Sequence, residues 1–182
     1  MFGVKLLTVV AVVSSLVLSG CGSQKVDDGK IDVVTTVGML GDLVKNVGGE
    51  RVDVESLMGP GVDPHLYKAS AGDIQLMEDA DVVFYVGLHL EGKMVEIFES
   101  LGERRKVIAT SSGIDETFLL SAQIGQTGNY DPHIWFDVGL WEETVDVVRD
   151  TLIEMDPEGE DFYRKNAENY SRELMDLHQW VG

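Results

Sequence analysis

Cysteine is nearly missing from this chain: Cys21 is the single one in 182 residues. No disulfide can form within it, and no cage of cysteine ligands can hold a zinc ion. Basic side chains are scarce too, 14 Lys and Arg against 32 Asp and Glu, for a formal charge of −18. Such a surface repels a phosphate backbone, which argues against nucleic acid as a partner. It attracts cations, although an acidic surface is by itself usually just a solvated one. No His-Glu-x-x-His cluster is present, and Gly59-Pro60-Gly61 lacks the lysine and the length of a phosphate-binding loop. The seven Met residues are scattered over apolar stretches, without a cluster of the copper-binding kind. What remains is ordinary for a folded chain: 44% hydrophobic and 25% charged residues. The length suits one core and is too short for two full domains.

The lone cysteine stands in an informative place. Met1 to Lys5 is a short start with one basic side chain, and Leu6 to Leu18 is apolar except for Thr8, Ser14 and Ser15. That run has signal-peptide length and is too short for a comfortable membrane span. Leu18-Ser19-Gly20-Cys21 follows, small residues before a cysteine, which resembles a bacterial lipoprotein signal. The expectation is a cleaved signal peptide over residues 1–20, lipidation of Cys21, and a polar tether over residues 21–30. The plainer alternative is a secretory signal beside a chance cysteine.

After residue 30, apolar β-rich runs alternate with helical stretches. Strands are expected at residues 31–37, 51–58, 81–86 and 106–109, the third a continuous apolar run typical of a buried parallel strand. Helices are expected at 39–47, with Leu40, Leu43, Val44 and Val47 on one face, and at 71–79 and 92–101. This order predicts a small four-stranded parallel sheet with helices on both faces, an α/β fold. Residues 110–132 form a long connection, a length that usually signals function or mobility. Asp137 is placed to cap a helix running to about Met155, Asp156-Pro157 breaks it, and a long helix runs on from about Glu158.

The chemistry gathers in a motif that occurs twice. Gly61-Val62-Asp63-Pro64-His65-Leu66-Tyr67 follows the second strand, and Asp131-Pro132-His133-Ile134-Trp135-Phe136-Asp137 ends the long connection. Chance would give one Asp-Pro-His in roughly one such chain in a hundred, and two far more rarely. Proline fixes its own φ and holds the preceding Asp extended, so each His is carried by a stiff loop. That suits a metal ligand, whose lone pair must point at the ion while its other nitrogen is held by a partner. His65 and His133 are therefore the candidate metal ligands. Asp63 and Asp131 are candidates to hold those imidazoles, or to cap their own turns. His89 and Glu91, just after the third strand, are candidates for supporting roles, while His178 reads as an ordinary surface residue. Both Asp-Pro-His loops should lie at the carboxyl edge of the sheet, where open α/β folds place ligands.

With these residues in view, the chain resembles the metal-binding solute-receptor lipoproteins of bacterial ABC importers, the ZnuA/TroA-like group. The resemblance rests on the signal ending at Cys21, on both Asp-Pro-His motifs, on Asp79-Ala80-Asp81-Val82-Val83-Phe84-Tyr85 and on Gly87-Leu88-His89-Leu90-Glu91-Gly92-Lys93-Met94. It implies a manganese, zinc or iron ion as transported ligand, with no organic cofactor. An ABC permease and its ATPase are the implied partners, the chain being held by its lipid at a bacterial membrane outside the cytoplasm. It further implies that the two Asp-Pro-His histidines supply half of a four-residue site between two α/β lobes joined by a long helix, and a monomer when complete. Residues 31–157 match the N-terminal lobe and residues 158–182 the start of the joining helix, while the second lobe has no counterpart here. A fragment or an interrupted gene is the expectation. The Gly-Leu-His-Leu-Glu stretch is more similar to the manganese-type branch. An enzyme is not expected, because a zinc hydrolase needs a third protein ligand and a general base. A surface adhesin or partner-binding lipoprotein, or a truncated non-functional product, stays open as the alternative.

Overall fold

The computed structural model describes residues 29–123 and 128–181. The expected signal peptide, Cys21 and nearly all of the expected tether lie outside the described residues. Four strands, β1 (Ile31–Val37), β2 (Val52–Met58), β3 (Val82–Tyr85) and β4 (Lys106–Ala109), form one sheet in the order β2-β1-β3-β4. Every pairing is parallel, with Val33 of β1 opposite Val54 on one side and Val82 on the other. Helix α1 (Gly38–Gly48) joins β1 to β2, α2 (Ala71–Asp79) joins β2 to β3, and α3 (Val95–Gly102) joins β3 to β4. The chain steps one way from β1 and then reverses, so right-handed crossovers set α1 on one face and α2 and α3 on the other. Helices α4 (Val138–Met155) and α5 (Glu160–Val181) pack on each other and on α1.

Local chemistry explains these elements. In α1 the four residues at helical spacing, Leu40, Leu43, Val44 and Val47, are completely buried. The helix stops at Gly49, whose φ of 53° suits glycine and where a Cβ would come within 2.8 Å of the Phe162 ring. Ser70 and Asp73 exchange side-chain bonds with each other's backbone N–H at the start of α2, a complete capping box. Asp137 caps α4 as expected, accepting from the Gly139 and Leu140 N–H groups.

Helix α3 begins at Val95, three residues later than the sequence suggests. Leu88 and His89 both have positive φ, and Glu91 turns inward to accept backbone N–H bonds from Val86 and Gly87. Residues 87–94 are thus committed to a tight turn and cannot join the helix. The long connection also has structure of its own, with short 3-10 turns at Thr110–Gly113 and Glu116–Phe118 and an antiparallel bridge between Ser121 and Tyr130. On α5, Tyr163, Ala167 and Leu174 are buried, while Leu177 and Trp180 are exposed. Among the described residues, no helix is long and apolar enough to cross a membrane.

Candidate metal centre

The loop leaving β2 is held at both ends of its Asp-Pro-His motif. Asp63 accepts the His65 backbone N–H at 2.9 Å, which folds the three residues into an Asx turn. Two residues on, the Tyr67 hydroxyl donates to Asp73 at 2.9 Å and ties the loop to the cap of α2. Burial first, and then this bond to the Asp73 carboxylate, push the Tyr67 phenol up to about 12, so it stays a donor at physiological pH.

The second loop repeats the turn and adds to it. Asp131 accepts the His133 backbone N–H at 3.1 Å, and its same oxygen lies 2.5 Å from His133 Nδ1. An ionised carboxylate only accepts, so Nδ1 carries the proton and Nε2 presents its lone pair. The ring is also steered by its neighbours, Trp135 meeting it edge-on with centroids 5.3 Å apart.

These two loops, 68 residues apart in sequence, bring His65 Nε2 and His133 Nε2 to 3.2 Å. An ion about 2.0–2.1 Å from each nitrogen, the usual zinc–imidazole length, would see them at an angle of about 100°, near tetrahedral. The side chain of His133 is 31% exposed, so the pair opens outward and leaves room for further ligands. The pair can hold a cation.

The other sequence candidates lie elsewhere. His89 is exposed on its positive-φ turn against Gly128, where a Cβ would come within 3.0 Å of the imidazole Cδ2. Glu91 is 2% exposed and points into the fold, accepting from Thr36 Oγ1 at 2.6 Å as well as from Val86 and Gly87. Desolvation pushes its carboxyl up, against the pull of those donors. Among the described residues, no group of three or more His, Cys, Asp or Glu side chains converges on one point. Nothing in the sequence pattern singled out Thr36, though two adjacent threonines among the valines of β1 signal buried polar partners.

Residues 33–182 match the family described as the periplasmic zinc-uptake complex component A. The chain belongs to this family. It is 42% identical over 170 residues to the manganese-binding lipoprotein MntA of Bacillus subtilis, covering 92% of this chain and 55% of that protein. It is 43% identical over 154 residues to the zinc-binding protein TroA of Treponema pallidum, covering 85% and 49%. The solved structure of that periplasmic zinc-binding protein matches with a TM-score of 0.79 at 42% identity, over 84% of this chain and 54% of the other. Fe(III)-bound YtgA of Chlamydia trachomatis matches with a TM-score of 0.73 at 30% identity, over 83% and 52%. The chain spans about half the length of the curated relatives it matches, and shares their fold over that half.

Proposed function

We propose that this chain captures a divalent transition metal ion, manganese, zinc or iron, outside the cytoplasm and passes it to the permease of an ABC importer, whose ATPase drives uptake. The observation that carries this reading is the approach of His65 Nε2 and His133 Nε2 to 3.2 Å, with Asp131 holding the second ring in the ligating tautomer. The metal is the cargo. Two relatives are named for binding manganese and zinc, and others are named as metal ABC transporter substrate-binding lipoproteins. Those names support a receptor over an enzyme or an adhesin. In this reading Cys21 carries the lipid that keeps residues 31–157, the metal-binding lobe, at the membrane surface.

Two imidazoles alone make a weak, open site, so chelators strip the ion readily. Titration calorimetry with zinc and with manganese on four single variants tests the assignment. His65→Ala and His133→Ala each nearly abolish binding, whereas His89→Ala and His178→Ala leave it intact. Unchanged binding in either of the first two removes the proposal.

A further inference from the structure

The two candidate ligands are held in different ways. His133 is held through its ring by Asp131, whereas Asp63 grips the His65 backbone, which shapes that turn without placing it. Pro64 and the Asx turn stiffen the His65 loop from within, but a stiff turn still moves as one body unless it is fastened from outside. The backbone bonds of the loop are local, Val62 N–H donating to the Gly59 carbonyl and Leu66 N–H to that of Asp63. Leu66, beside His65, is 69% exposed, so packing does not hold that side of the turn. Tyr67 is partly buried against the core and reaches further. Its hydroxyl lies 3.5 Å from the Leu57 carbonyl of β2 and donates to Asp73 Oδ2 at 2.9 Å. That same oxygen accepts the Ser70 N–H at 2.7 Å. One carboxylate oxygen at the start of α2 thus serves both the helix cap and the loop that carries His65.

We propose that Tyr67 is a positioning residue for His65: its bond to Asp73 fixes the loop on α2 and holds His65 Nε2 at 3.2 Å from His133 Nε2 before any ion arrives. This rests on the metal-binding reading above. A site already in the ligating arrangement binds with its full intrinsic affinity, whereas a loop that visits that arrangement part of the time loses affinity in proportion. Coupling of this kind runs both ways. An ion held by both histidines fastens the loop from its other end, and so steadies the Tyr67–Asp73 bond and the first turn of α2 behind it.

Zinc titration calorimetry on the full 182-residue chain in mild detergent tests the inference, with urea unfolding measured beside it. Tyr67→Phe keeps the ring and removes only the hydroxyl, and zinc affinity should fall roughly 10-fold. Asp73→Ala should cost about the same, and the two changes together no more than either alone. Asp73→Asn keeps an acceptor oxygen and should retain most of the affinity. Ser70→Ala separates positioning from stability, because it removes the acceptor of the Asp73 N–H and leaves the Tyr67 bond in place. It should lower stability and bind zinc as the wild type does. Zinc should slow hydrogen exchange of the Ser70 amide in the wild type and have no such effect in Tyr67→Phe. Unchanged zinc affinity in Tyr67→Phe overturns the inference and leaves the metal-binding reading standing. So does a Ser70→Ala variant that loses as much affinity as Tyr67→Phe, for affinity would then merely follow stability. A wild type that binds no zinc overturns both.

Discussion

Thr36, near the carboxyl end of β1, donates its hydroxyl to Glu91 at 2.6 Å, joining β1 to the turn that leaves β3. These are the strands between which the sheet order reverses, the place where open α/β folds bind ligands. Here a buried carboxylate closes that gap from inside. Glu91→Ala would leave the Thr36 hydroxyl and the Val86 and Gly87 N–H groups without their acceptor. A loss of roughly 1–3 kcal/mol is expected in urea unfolding.

Because burial raises the Glu91 carboxyl, the folded protein holds that proton more tightly than the unfolded chain. The contribution of Glu91 to stability is therefore greatest in acid and is lost as pH rises above the ordinary carboxylate range. Glu91→Gln removes that dependence. The stability difference between wild type and this variant, followed from pH 4 to pH 8, should shift steadily in favour of Gln. A difference that is flat with pH would sink the prediction.

Asp156 behaves in the opposite sense. It accepts from Arg51 through both oxygens, at 2.6 and 2.9 Å, and from the Tyr163 hydroxyl at 2.7 Å. The Arg51 bond, aided by Tyr163, lowers its carboxyl, so this stabilisation is present above the ordinary Asp range and fades as pH falls through the lowered value. Asp156→Asn should melt lower than wild type at pH 7, with the gap closing in strong acid. Gly159 sits within this knot, where a Cβ would fall 2.6 Å from Arg51 Nε, Asp156 Oδ2 and Tyr163 Cε2. Gly159→Ala should accordingly destabilise at every pH.

Asp131 holds the His133 ring nitrogen, and in the proposed site it positions a ligand without being one. Asp131→Ala frees the His133 ring and its tautomer, and zinc affinity should fall by roughly 10–100-fold while His65 and His133 both remain. Calorimetry at constant pH measures it, and circular dichroism checks that the fold survives. Affinity equal to wild type would show that the 2.5 Å contact has no part in holding the ligand.

Cys21 is the chain's one thiol, so Cys21→Ser leaves no residue to carry a lipid. The variant should leave the membrane fraction or accumulate unprocessed. Labelled palmitate should enter the wild type alone.

The strands, most helix limits and the stiffness of both Asp-Pro-His loops were legible in the order of the residues alone. Each follows from interactions within a few residues: apolar spacing, a capping Asp137, a proline that fixes its own φ. The Asp63 and Asp131 turns were legible for the same reason, since each side chain reaches a backbone N–H two residues on. The late start of α3 was not, because it depends on Glu91 finding Thr36, 55 residues away. Equal sequence turns also became unequal in space: Asp131 holds its histidine's ring nitrogen, whereas the bond seen from Asp63 is to the His65 backbone. That His65 and His133 meet is a matter of long-range packing. Their approach depends on the strand order β2-β1-β3-β4 and on how the long connection folds back to α4. Such contacts are set by the packing of distant layers, to which no local spacing along the chain gives access.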